Sequence, residues 1–305
     1  MKSISILALS MYNQEESKCL RLIEDNLQGG EDIVLLPESF IDTRTYTLDD
    51  PFLEEIKKLA QKGNTHILCP VIRKISASDV MTSAILYGRQ GQILFVYDKI
   101  FPYWSEFPEH GGKFITVPGS KTVACDTDFG RVSAAICFDA NFSELWRDIA
   151  EKNVDIVFFA SAYSAGQQLA AYALNYHYTI VTCTRFPDCG IFDLAGRELQ
   201  YNEGNPDEIL ITRATVDLDK VICHHNFNEE KIKQMLAENP GIVEIENDYK
   251  REEWIVIRSS SAEVNVRSLC REYGIENLRD YQNRSRAYIS SRRKEPLSLG
   301  PGTGY

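Results

Sequence analysis

Gly130-Arg131-Val132-Ser133-Ala134-Ala135-Ile136-Cys137-Phe138-Asp139 is followed, after Ala140, by Asn141-Phe142-Ser143-Glu144-Leu145-Trp146-Arg147. The first half, a small-and-branched apolar run behind a glycine turn, predicts a buried strand. The second places Leu145, Ile149 and Ala150 on one face of an amphipathic helix. Cys137 therefore falls at a strand-to-helix elbow. The amides and positive end of a following helix favour an anion, so this position favours a thiolate over a thiol. A cysteine buried in a strand is usually inert, however, and the other seven read as core or surface residues. Cys137 acquires chemical meaning only through partners.

Outward from the elbow, strands and helices alternate. The Ser/Ile alternation from Met1 to Leu9 fits a first strand better than a secretion signal, and 14–28 reads as a helix closed by Gly29-Gly30. Asp32-Ile33-Val34-Leu35-Leu36-Pro37-Glu38 is an unalternating apolar strand, covered on both faces, that ends in a carboxylate. A helix over 52–62 stops at Gly63, and strands follow over 66–74, 83–88 and 93–99. Residues 101–120 form a Pro-, Gly- and aromatic-rich loop, long enough to carry function. Beyond the Cys137 helix, Asp155-Ile156-Val157-Phe158-Phe159-Ala160-Ser161 repeats the form of the strand at 32–38, which suits two similar halves facing one another across a core. A helix over 167–178 and strands over 180–184, 190–194 and 208–218 complete residues 1–220. The extension, 221–305, holds a polar helix at 228–238, a charged extended stretch at 242–258 and a helix at 264–281. From Gln282 the chain is expected to wrap a neighbour or stay disordered.

The composition narrows the function. At 305 residues and 44% hydrophobic, the chain can bury a substantial core. Its formal charge of -11 argues against a nucleic-acid surface, and the one strongly basic run, Arg284 to Lys294, lies in the tail. No apolar run approaches the roughly 20 residues that span a bilayer. The eight cysteines form no Cys-x-x-Cys pair, so reduced thiols and a cytoplasmic location are expected, with no metal. His224-His225 point different ways and lack a third ligand at suitable spacing.

Glu38, Lys99 and Cys137 share one structural address, the carboxyl ends of strands, where an open sheet presents its crevice. Cleaving a carbon-nitrogen bond with a cysteine asks for these three residue types. A free thiol has a pKa of about 8.5, so attack at neutral pH needs a base or a nearby cation. Glu38 can take the proton. Lys99, with the backbone N–H of Phe138, can hold the oxyanion, where removing one donor costs roughly 3–4 kcal/mol of barrier. Glu38 then returns its proton to the leaving nitrogen, and a water activated by the same carboxylate releases the acid.

Three blocks carry a resemblance: Leu35-Leu36-Pro37-Glu38, Tyr97-Asp98-Lys99-Ile100-Phe101-Pro102, and Ala135-Ile136-Cys137-Phe138-Asp139 through Arg147. In order and spacing they resemble the signature blocks of the nitrilase, or carbon-nitrogen hydrolase, superfamily over about residues 3 to 220. The resemblance implies an α/β fold, a four-layer α-β-β-α sandwich, with Glu-Lys-Cys catalysis and no cofactor. It also implies homodimers or larger assemblies and a second glutamate after the lysine. Glu109 matches that place ahead of its competitor, Glu106. An aromatic Phe138 after the cysteine resembles the amide and carbamoyl hydrolases, so a small amide or N-carbamoyl substrate is expected. Tyr103, Trp104, Phe138, Phe142, Tyr163 and Ser164 are candidates to line its pocket. One departure stands out: where the family pattern reads Arg-Ala-x-Glu, this chain reads Tyr172-Ala173-Leu174-Asn175. That change and the extension keep two rivals open, a non-catalytic binding or assembly module and a glutaminase component feeding ammonia to a synthetase. The latter needs a partner chain, since no nucleotide-binding Gly-rich loop is present.

Overall fold

The structure is a computed structural model that describes residues 3–42, 44–261 and 263–295. The chain divides between Leu218 and Asp219 into two compact units. The first contains β1 (Ser3–Ser10), α1 (Glu16–Asn26), β2 (Ile33–Leu35), α2 (Pro51–Gly63), β3 (His66–Lys74), β4 (Asp79–Tyr87) and β5 (Ile93–Asp98). There follow β6 (Ile115–Thr116), β7 (Cys125–Asp126), β8 (Arg131–Ile136), α3 (Ser143–Glu151), β9 (Ile156–Ser161), α4 (Gly166–Tyr176) and β10 (Thr179–Thr184). It closes with β11 (Asp188–Phe192), β12 (Glu198–Glu203) and β13 (Leu210–Asp217).

Among the described residues these strands form two sheets. One runs β13-β1-β2-β3-β4-β5 with β6 beside β4, and the other β12-β11-β10-β9-β8-β7. Alternation assigns the faces. Ile4, Ile6 and Ala8 of β1 join a core shared with Val132, Ala134 and Ile136 of β8, whereas Leu7 and Leu9 pack on the other side with Ile23 of α1 and Leu53 and Ile56 of α2. Ile156, Val157, Phe158 and Phe159 of β9 are apolar on both faces, as a parallel strand covered twice must be, and Leu145, Trp146 and Ile149 of α3 and Leu169 of α4 cover them. The layers are therefore α-β-β-α, the sandwich that the resemblance implies. Parallel β1-β2-β3 and β8-β9-β10 aim their carboxyl ends at the loops that carry the candidate residues.

The second unit, with β14 (Lys220–His224), α5 (Glu229–Glu238), β15 (Val243–Tyr249), β16 (Trp254–Ser259), α6 (Val266–Glu272) and α7 (Leu278–Ser291), is an antiparallel sheet ordered β14-β16-β15. Its own core gathers Val221, Cys223, Ile232, Met235, Ile255, Ile257 and Cys270. The helix expected over 264–281 is instead two, interrupted at Gly274, whose φ of 65° favours glycine. Asn277 then caps α7 by accepting from the Asp280 amide, and helix continues to Ser291 through residues expected to lack structure. Residues 296–305 of the expected tail lie outside the described residues. His224 and His225 face different carboxylates, Glu253 and Asp248. No helix among the described residues is long and apolar enough to cross a membrane.

Candidate active site

Each candidate side chain leaves a strand end. Leu36 and Pro37 carry the chain from β2 to Glu38, which is 7% exposed, and Ser39 turns away with φ 57°. Lys99 follows β5. Its amide donates to the Thr82 carbonyl at 2.8 Å, and its carbonyl accepts from the Gly119 amide at 2.8 Å. A β-carbon on Gly119 would stand 2.1 Å from the Asp98 carbonyl oxygen, so only glycine permits that approach. Cys137 follows β8 with φ 48°, a left-handed conformation that non-glycine residues rarely adopt and that turns the chain sharply into a one-turn 3-10 helix, Cys137–Asn141.

Lys99 is the hub. Its Nζ donates to Glu38 Oε1 at 2.8 Å and to Glu106 Oε1 at 2.6 Å, and the residue is 1% exposed. Burial works against its charge, but Glu38, the Cys137 sulfur and Glu106 more than offset this, so its pKa lies above the usual lysine range. Glu106 is itself held on both oxygens: Oε1 also accepts from the Tyr103 amide at 2.8 Å, and Oε2 from Thr82 Oγ1 at 3.1 Å. Glu109 stands exposed on the next 3-10 turn, Pro108–His110. The glutamate brought to the lysine is thus Glu106 rather than Glu109, because the loop folds into two tight turns that return Glu106 alone toward β5.

The thiol departs from expectation. Burial pushes Cys137 up to about 12, the facing Glu38 carboxylate adds to this, and Lys99 with the Ala162 N–H reverses only part of it. The raised pKa favours the protonated thiol over a preformed thiolate. α3 begins only at Ser143, with the 3-10 turn between, and so its N-terminus does not bear directly on the sulfur.

Behind the elbow, fully buried Asp139 accepts from Tyr97 Oη at 2.6 Å, the Ile136 amide at 2.9 Å and the Phe101 amide at 3.0 Å. It ties the nucleophile turn to the lysine segment. Burial lifts its pKa to about 6 against the pull of these donors.

Glu38, Glu106, Cys137, Tyr103, Thr82, Lys113, Ala162 and Arg185 are among the residues that line a cavity of about 320 Å³. Of the six aromatic and polar candidates, Tyr103 borders it. Phe138 packs edge-on against Tyr103 at 5.2 Å, Phe142 stacks on Phe101 at 3.8 Å, and Trp104 is 54% exposed beside Tyr103. Tyr163 Oη accepts from Asn141 Nδ2 at 3.2 Å, and Ser164 donates to Asp188. These five are not among the residues that line the cavity. The sequence reading missed Arg185, whose signal was present: a cation directly after the apolar strand 180–184, the same strand-end address as the other three. At the departure noted above, Tyr172 Oη donates to the Ala140 carbonyl at 3.0 Å and its ring stacks on Trp146 at 4.8 Å, while Asn175 is exposed. Tyr172 therefore braces α4 against the nucleophile turn without a buried charge.

Comparison with known proteins agrees with this fold. The carbon-nitrogen hydrolase family model matches residues 9–221. A deaminated glutathione amidase of Yersinia enterocolitica is 24% identical over 184 residues, which is 54% of this chain and 64%, under two-thirds, of that protein. One from Dictyostelium discoideum is 23% identical over 278 residues, 76% of this chain and 94% of that protein. A carbon-nitrogen hydrolase structure from Helicobacter pylori superposes with a TM-score of 0.61 at 17% identity, covering 77% of this chain and 94% of the other. With its sandwich fold and this match over most of its length, the chain belongs to the carbon-nitrogen hydrolase family.

Proposed function

We propose that this protein hydrolyses a non-peptide carbon-nitrogen bond of a small linear amide or N-carbamoyl compound through a thioester on Cys137. The observation that carries the reading is one buried ammonium shared by two carboxylates, Glu38 at 2.8 Å and Glu106 at 2.6 Å, both of which line one cavity with Cys137. Glu38 takes the thiol proton as sulfur attacks the carbonyl carbon. The carbonyl π electrons move to oxygen, and Lys99 with the Phe138 amide holds the oxyanion. The oxyanion collapses, the carbon-nitrogen bond breaks, and Glu38 passes its proton to nitrogen, so ammonia leaves and the thioester remains. Water, deprotonated by the same carboxylate, adds to the thioester; the carbon-sulfur bond breaks, the proton returns to sulfur, and the acid departs.

A raised thiol pKa calls for a base beside the sulfur, and the facing Glu38 carboxylate supports that role. Glu106 fixes the lysine and balances its charge. The test is ammonia release across aliphatic amides, ω-amides, N-carbamoyl amines and nitriles, with Cys137→Ala as control. Turnover of an amide or carbamoyl compound, abolished in a Cys137→Ala chain that keeps its melting temperature, is expected. Undiminished release by that variant would refute the assignment.

A further inference from the structure

The cavity contains a cation that the chemistry above does not use. Arg185 directly follows β10, and its amide donates to the Ser161 carbonyl at the end of β9 at 2.9 Å. β8, β9 and β10 are adjacent and parallel, with Ile136 level with Ala160 and Ser161 level with Thr184. Cys137 and Arg185 thus leave strand ends two spacings, or about 10 Å, apart. Both line the cavity.

The other cations have carboxylate neighbours: Lys99, buried behind the cavity's glutamates, pairs with Glu38 and Glu106, and Lys113, which lines the cavity, has its Nζ 3.9 Å from Asp42 Oδ2. Arg185 differs. Its guanidinium carbon lies 4.8 Å from the Tyr12 ring centroid and 5.4 Å from that of Phe186, so two aromatic faces hold the plane. Its Nε–H is out of solvent and meets no acceptor on the protein among the described residues. A buried guanidinium donor without an acceptor is costly, and the group that best satisfies the planar fork is a carboxylate, which can bind through both oxygens.

We infer that Arg185 is the specificity-determining residue of this site: it receives a carboxylate on the substrate while the amide at the other end reaches Cys137. The inference rests on the amide-hydrolase reading and narrows it to short amides bearing a distal carboxylate, with neutral amides of equal length disfavoured. Lys99 is occupied by two glutamates, so the carboxylate end is drawn to Arg185 and the carbonyl end is left for the nucleophile.

The test compares succinamate with butyramide, which have the same number of carbons and differ at the distal end in charge. Binding is measured by calorimetry on the Cys137→Ala chain, where no turnover intervenes. Succinamate should bind at least about tenfold more tightly, and adding Arg185→Gln should bring the ratio close to one. Arg185→Lys, which keeps the charge but not the fork, should fall between and carries the test if the Gln variant fails to fold. In the chain with Cys137 intact, Arg185→Gln should lower the ratio of kcat/KM for succinamate over butyramide by a similar factor. Equal binding of the two amides, or a preference that survives substitution in a folded variant, overturns the inference. Equal hydrolysis of both amides by the unsubstituted chain leaves the hydrolase reading intact and removes the role of Arg185. Preferential binding without any turnover does the reverse.

Discussion

Cys137 and Glu38 stand in opposition: the carboxylate that takes the proton in the proposed mechanism also helps keep the thiol at about 12. Removing that charge therefore separates nucleophile reactivity from catalysis. In Glu38→Gln, Lys99 acts on the sulfur without the opposing carboxylate, and the thiol pKa falls. Alkylation of Cys137 by iodoacetamide at pH 8, followed by peptide mass spectrometry, should accelerate by about tenfold for each unit of that fall. Ammonia release should drop by about 100- to 10,000-fold, since the proton no longer has an acceptor. Slower alkylation in the variant would mean that Glu38 does not govern the thiol. The two loop glutamates make a second pair. Glu106→Gln removes one of the two charges on Lys99 and should lower kcat by about 10- to 1,000-fold. Glu109→Gln, altering an exposed carboxylate, should stay within about twofold. Equal losses in steady-state assays would show that the 2.6 Å contact has no catalytic weight.

Among elements, the join between β8 and the segment after β5 depends on Asp139, which accepts from both. Its folded pKa of about 6 lies above the ordinary aspartate value of 3.8, so the native state holds that proton more tightly than the unfolded chain. By linkage, this contribution is fully present below about 3.8 and is lost as pH rises through about 6. Asp139→Asn has no such ionisation. The stability difference between the unsubstituted chain and Asp139→Asn, from urea unfolding, should therefore favour the former more at pH 4 than at pH 7, by about 1–3 kcal/mol. A difference flat in pH would refute the assignment. The same elements show what could be read from sequence. β8 and β9 are legible because a strand buried on both faces leaves an unbroken apolar run; Cys137 and Glu38 follow such runs, whereas Lys99 follows the half-buried β5 and is found by its place at that strand's end. The choice of Glu106 over Glu109 is not legible, since it comes from two 3-10 turns and from Gly112, where a β-carbon would stand 2.2 Å from the Glu106 carbonyl oxygen. Such close contacts leave no periodic trace. β12 escaped notice because, as an edge strand, it exposes Glu198, Leu199, Tyr201 and Glu203 and so has no clear apolar face.

At the scale of the molecule, the division between Leu218 and Asp219 separates cores with no member in common. The boundary is faint in sequence because β13 and β14 flank it two residues apart, without a Pro- or Gly-rich linker; what changes is composition, from long apolar runs to charged strands and helices. A chain with separate cores need not unfold in one step. Ile257, fully buried at the centre of β16, belongs to the second core alone. Ile257→Ala should remove about 2–5 kcal/mol from the unit it occupies. Urea unfolding followed by two probes, circular dichroism for the whole chain and acrylamide quenching of Trp146 in a Trp104→Phe, Trp254→Phe background that leaves only the first unit's buried tryptophan, should then show an early step in the former that is absent from the latter. If both probes shift together along one transition, the two cores fold as a single cooperative body, and the boundary at Leu218 is one of packing and not of stability.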